Sequence, residues 1–68
     1  MTASEKVKAL LEYTNTPVAE VAKRIGTTRQ NLSYKIHNDK LYMSDLEAIA
    51  EAVGATLQVT FIVPGKNV

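Results

Sequence analysis

The chain of 68 residues contains no cysteine, one histidine, one phenylalanine and three glycines. Without cysteine there is no disulfide staple and no thiolate zinc site, and nothing points to an oxidising compartment, so a cytoplasmic protein fits. With only three glycines and neither a G-x-G-x-x-G nor a Walker sequence, nucleotide binding has no support. The single histidine, His37, has only Asp39 and Asp45 as nearby carboxylates. Neither catalysis nor metal binding can be built from so sparse a set, and a surface histidine near a helix end is the simpler reading. No cofactor, no metal and no enzyme activity are expected. Apolar runs are too short to span a bilayer, and the first residues lack the basic-then-apolar pattern of a signal peptide, so neither a membrane nor a targeting segment is expected. A chain this short is one domain, residues 1–68, whose single core is marginal by size; stabilisation from a further source is expected.

Net charge is +1, which says little; its placement says more. Between Lys23 and Lys40 stand five cations, Lys23, Arg24, Arg29, Lys35 and Lys40, against the one anion Asp39, while the segments on either side are net negative. Such clustering creates a field that attracts a phosphate backbone, although a basic stretch of this size is often only a solvated face.

The stretch Val18 to Ile36 organises the chain. Val21, Ala22 and Ile25 keep helical spacing, Gly26 breaks it, and Leu32 and Ile36 restore it four residues apart. Two short helices joined by a tight glycine turn follow from this, with Ala22 small enough for a close crossing and Gly26 suited to the left-handed end of a helix. Thr28 is a good N-cap, and Arg29, Gln30, Ser33 and Tyr34 lie on the outward face of a recognition helix covering residues 28–37. Arginine can pair with guanine and glutamine with adenine in a DNA major groove, while first-turn amides face phosphate. A plain helical bundle with a glycine C-cap would show the same spacing; the charge clustering favours the DNA reading.

On Val21-Ala22-Lys23-Arg24-Ile25-Gly26-Thr27-Thr28-Arg29-Gln30-Asn31-Leu32-Ser33, the chain resembles the Cro and phage-repressor (XRE-like) type of helix-turn-helix transcription regulator. The resemblance extends by pattern from about Thr16 to Ala55. One departure is Lys35, where that family usually places an apolar residue and this chain has Ile36 next to it instead. The resemblance implies a sequence-specific regulator of double-stranded DNA, acting as a repressor. On this reading Arg29, Gln30, Ser33 and Tyr34 contact bases, and Thr16, Thr28, Asn31, Lys35 and Lys40 contact phosphates.

The remaining elements follow in order. Thr2 and Glu5 form a capping box ahead of Val7, Leu10 and Leu11, predicting a helix over 3–13 with Tyr13 at the core border. Asn15 suits a left-handed turn, Thr16 an N-cap and Pro17 a first helical position, which predicts a second helix over 17–25. Leu41 and Met43 are expected to anchor the loop after the third helix. Ser44 and Glu47 read as a second capping box for a fourth helix with Leu46, Ile49, Ala50 and Val53 as its buried stripe and Gly54 as its stop. The fold expected is therefore mainly α: a four-helix helix-turn-helix domain over 1–54, followed by a C-terminal strand.

That strand is predicted over 56–63, where β-branched and aromatic residues alternate with period two and Leu57, Val59, Phe61 and Val63 share a face. A lone strand needs a ladder partner, so pairing with a second copy, a homodimer with Leu57, Val59, Phe61 and Val63 at its interface, is expected. The competing expectation is a fifth helix or an irregular tail on the fourth. From a different functional class, the alternative is a protein-interaction module or antitoxin-like adaptor that uses the same strand.

Overall fold

The computed structural model describes residues 2–67 and is mainly helical; Met1 and Val68, the ends of the span expected to be one domain, lie outside the described residues. Its elements are α1 (Ala3–Tyr13), α2 (Val18–Ile25), α3 (Arg29–His37) and α4 (Met43–Ala52), then the short strands β1 (Ile62–Val63) and β2 (Lys66–Asn67). Local chemistry explains most boundaries. The Glu5 amide donates to the Thr2 hydroxyl at 3.1 Å while the Thr2 amide donates to the Glu5 carboxylate at 3.3 Å, closing the capping box of α1. Gly26 ends α2 at φ 83°, and the Thr27 amide returns to the Ala22 carbonyl at 2.9 Å, so two carbonyls of the last turn are satisfied as the chain reverses. The Asn31 amide donates to the Thr28 hydroxyl at 3.0 Å, which starts α3 where the sequence places it.

Two helix starts differ from expectation. Thr16 does not cap α2: its hydroxyl donates to the Thr14 hydroxyl at 3.0 Å, and Pro17, whose carbonyl accepts from Glu20 and Val21, occupies the cap position one residue outside the helix. In α4 the Ser44–Glu47 box is absent. The helix begins two residues earlier, and the Tyr42 amide donates instead to the Asp45 carboxylate at 2.8 Å. The two three-residue spacings overlap, and the aspartate wins because its shorter side chain is also held from the other side by Lys35. Tyr13 does not border the core; it is 91% exposed.

Each helix contributes two residues to one core: Val7 and Leu11, Val21 and Ala22, Leu32 and Ile36, Ile49 and Ala50. Leu10, Val18, Ile25, Leu41, Leu46 and Val53 pack around it, Leu41 anchoring the α3–α4 loop while Met43, expected to anchor it too, stays outside the core and half exposed. Two polar ties brace this core. The buried Ser4 hydroxyl donates to Asp39 at 2.9 Å, joining the first turn of α1 to the α3–α4 loop. Arg24 bonds Glu20 at 3.1 Å and reaches across to the Ala52 carbonyl at 2.6 Å, so a cation of α2 satisfies the open end of α4.

The C-terminal segment corrects the strand expected over 56–63. Residues 55–61 form no regular structure, and only Ile62–Val63 is strand. Leu57 turns into the gap between α1 and α4, beside Leu10, Met43 and Leu46, and is half-buried there. This burial holds the chain along the helical body, where no neighbouring strand can offer a ladder. Beyond it the chain turns at Pro64 and Gly65, with Gly65 at φ 89°, and returns as β2. Val63 pairs with Lys66 and Ile62 with Asn67, antiparallel, so the strand is not alone in its own chain.

Candidate nucleic-acid interface

The back of α3 is fixed by Leu32, 2% exposed, and Ile36, 5% exposed. Helical geometry then turns Gln30, Tyr34 and His37 outward, with Ser33 and Lys35 on opposite flanks. An open groove of about 830 Å³ runs along the Ser33 side. Its walls are Gln30, Ser33, Tyr34 and His37 of α3, Pro17 and Val18 at the start of α2, and Leu11 and Glu12 at the end of α1. The groove therefore brings the first turn of α2 beside the outward side chains of α3. The first-turn amides of an α-helix have no acceptor inside the helix, so both termini present donors suited to an anion.

Of the residues expected to read bases, Gln30, Ser33 and Tyr34 line this groove, and Arg29 is exposed at the N-terminus of α3. Tyr34 is 54% exposed, and the Lys40 ammonium lies 5.7 Å from its ring centroid. This distance suits a cation resting on an aromatic face. Among the residues expected at phosphates, Thr28 and Asn31 are exposed at the same end of α3. The Asn31 amide nitrogen Nδ2 donates to the Thr27 hydroxyl at 2.9 Å, so cap and side chain are locked together. Thr16 is half-buried on the groove wall beside Pro17.

Lys35 is placed differently. It lies on the flank of α3 that faces α4, and its ammonium meets the Asp45 carboxylate at 3.2 Å and sits 5.9 Å from the Tyr42 ring. This accounts for the departure noted at that position: the aliphatic stem covers the edge of the core, and the charge is held by a partner rather than left in water. Arg24 is likewise engaged, with Glu20 and Ala52. The two ion pairs among the described residues are thus Arg24–Glu20 and Lys35–Asp45, and Lys23, Arg29 and Lys40 stand outside them. Charge counted along the chain overstates what the surface offers. Lys8, Glu12, Asn15, His37 and Asn38 also line the groove. Sequence reasoning gave them no such role, because the α1 residues reach it only through the docking of α1 on α3.

The Tyr42 amide, donating to Asp45, holds that carboxyl below the usual carboxylate value of 3.8; partial burial works against it, and Lys35 adds to the lowering. A carboxyl whose folded-state value is depressed stabilises the fold above 3.8 and loses that contribution as pH falls through the folded value. Asp45→Asn is therefore expected to melt below wild type at pH 7, with the difference closing as acid protonates the wild-type carboxyl. Thermal melting of both proteins between about pH 7 and pH 2 checks this. A gap that is constant across the range excludes the charge as its source.

Among the described residues no cluster of three His, Asp or Glu side chains could hold a metal ion, and no helix is long and apolar enough to cross a membrane. No family model matches the chain, and comparison with curated proteins and with solved structures finds no similar protein.

Proposed function

We propose that the chain is a sequence-specific regulator that binds double-stranded DNA through a helix-turn-helix made of α2 and α3 and represses by occupying its site. The observation that carries this is the shared groove: the outward side chains of α3 and the first turn of α2 face the same open space while Leu32 and Ile36 anchor the helix from behind. Arg29, Gln30 and Tyr34 supply bidentate or stacking contacts to base edges, Ser33 a shorter one, and the termini of α2 and α3 with Thr16, Thr28, Asn31 and Lys40 hold the phosphates. Selection of bound duplexes from a random DNA pool tests the class and gives the site in one step. Recovery of no preferred sequence would overturn it.

Arg29→Ala and Gln30→Ala should each cost about 1 to 3 kcal/mol at the preferred site and relax preference at particular base pairs, leaving the melting temperature nearly unchanged. Competition binding against a panel of single-base variants reads both effects. Normal affinity and selectivity in both proteins would remove these residues from the interface.

The C-terminal hairpin supports a homodimer. Val59, Phe61, Ile62 and Val63 are exposed, and residues 55–65 carry no charge. β2 covers one edge of β1; among the described residues no strand covers the other. Antiparallel pairing of β1 with the same strand of a second copy is two-fold symmetric, and nothing charged opposes it. Two recognition helices about 34 Å apart would then meet successive turns of the major groove. Leu57, seated against α1 and α4, is not available to this interface, and Ile62 takes a place in it. The same exposed hairpin favours one other reading, a protein-interaction module. Salt separates the two, since DNA binding must weaken steeply with ionic strength and an apolar contact need not.

A further inference from the structure

We infer that Asp45 masks Lys35 as a latent phosphate contact, and so sets how tightly the protein holds DNA of any sequence. This rests on the DNA-binding reading above. Lys35 stands on the flank of α3 opposite the groove, next to the exposed start of α4 where Tyr42 lies. A helix lying in a major groove has a sugar-phosphate strand on each side. The α2 terminus faces one of them, and the edge formed by Lys35, Tyr42 and the α4 terminus faces the other. The ammonium that belongs on this second edge is occupied: Asp45 oxygens lie 3.2 and 3.4 Å from it, and the side chains are only 29% and 20% exposed. Asp45 is fixed in turn by the Tyr42 amide at 2.8 Å, so it cannot swing away without uncapping α4. A phosphate must therefore compete with a carboxylate that is already oriented and partly shielded from water. The competition is independent of base sequence, so it lowers affinity for every duplex alike.

The test compares salt dependence of binding, for the selected duplex and a random one, in four full-length proteins. Asp45→Asn keeps an oxygen for the Tyr42 amide but releases Lys35. It should strengthen binding to both duplexes equally and steepen the slope of log affinity against log salt by about one. In the double variant Asp45→Asn/Lys35→Met, which has the wild-type net charge, the slope should return to the wild-type value. Glu47→Gln makes the same change in net charge from an exposed site on α4 and should leave the slope where it was.

An unchanged slope in Asp45→Asn overturns the inference, as does an equal steepening in Glu47→Gln, which would assign the effect to bulk charge. A double variant flatter than wild type by about one would show that Lys35 already binds phosphate in the native protein. Should Asp45→Asn not fold, Asp45→Ser, which keeps an oxygen for the Tyr42 amide and also releases Lys35, takes its place with the same expected and overturning slopes. Should wild-type binding show no salt dependence, the DNA reading itself fails at the first measurement, visibly apart from any result on Asp45.

Discussion

Leu32→Ala should cost about 2 to 5 kcal/mol of stability, the range for truncating a buried leucine whose surroundings collapse only in part. Leu32 is among the largest fully buried side chains, and it belongs to the helix that carries the candidate interface. A chain of 68 residues has on the order of 3 to 10 kcal/mol in total, so this single change should leave a substantial unfolded fraction at 37 °C. Urea unfolding of wild type and variant at equal protein concentration measures it; a difference under about 1 kcal/mol would mean that α3 is not anchored as described. DNA binding should fall with the folded fraction, unlike Arg29→Ala, where fold and binding separate.

Phe61→Asp should convert a dimer into a monomer and weaken binding to a two-half-site duplex by about 100-fold or more, the gain that linking two modest contacts provides. Phe61 is 72% exposed in the single chain, so the substitution removes nothing from the core and stability of the helical body should hold. Introducing a carboxylate directly beside the uncharged β1 pair, however, places a charge in each half of an interface that is otherwise apolar. Sedimentation and binding to full and half sites check both effects. Wild-type protein that sediments as a monomer at tens of micromolar, or a variant that still dimerises, rules out this assembly.

What could be read from sequence divides by range. Thr2 with Glu5, Thr28, and Gly26 act within three or four residues, and the helix ends they imply lie where expected. Leu32 and Ile36 likewise announce the buried face of α3 by spacing alone. The start of α4 was hidden by two overlapping spacings, Tyr42 with Asp45 and Ser44 with Glu47. Only the fold decides between them, by putting Lys35 beside Asp45. The groove walls supplied by α1, the reach of Arg24 to Ala52 and the tie from Ser4 to Asp39 join residues far apart in the chain, and no local pattern marks them. The tail shows the limit most plainly. Period-two alternation from Thr56 to Val63 states what the chain prefers in a sheet, but the apolar gap between α1 and α4 takes Leu57 first and leaves strand geometry to the last residues.

The open edge of β1 also bears on how copies of this chain could aggregate at high concentration. Leu57 to Val63 is a seven-residue window of high β propensity with neither charge nor proline, the composition from which fibrils grow when a strand edge is free on both sides. Here β2 closes one side of Ile62 and Val63, the last two residues of the window, with Lys66 on that outer strand and Pro64 at the turn. Two edges of the hairpin stay open, the uncharged edge of β1 and the lysine-bearing edge of β2. In the proposed pairing of two copies through β1, the outermost strands on both sides would be two residues long and each would bear a lysine, which disfavours a fifth strand. The hairpin's two edges are thus unequal: the uncharged edge of β1 favours a pair, and the short edge of β2 with Lys66 works against a polymer.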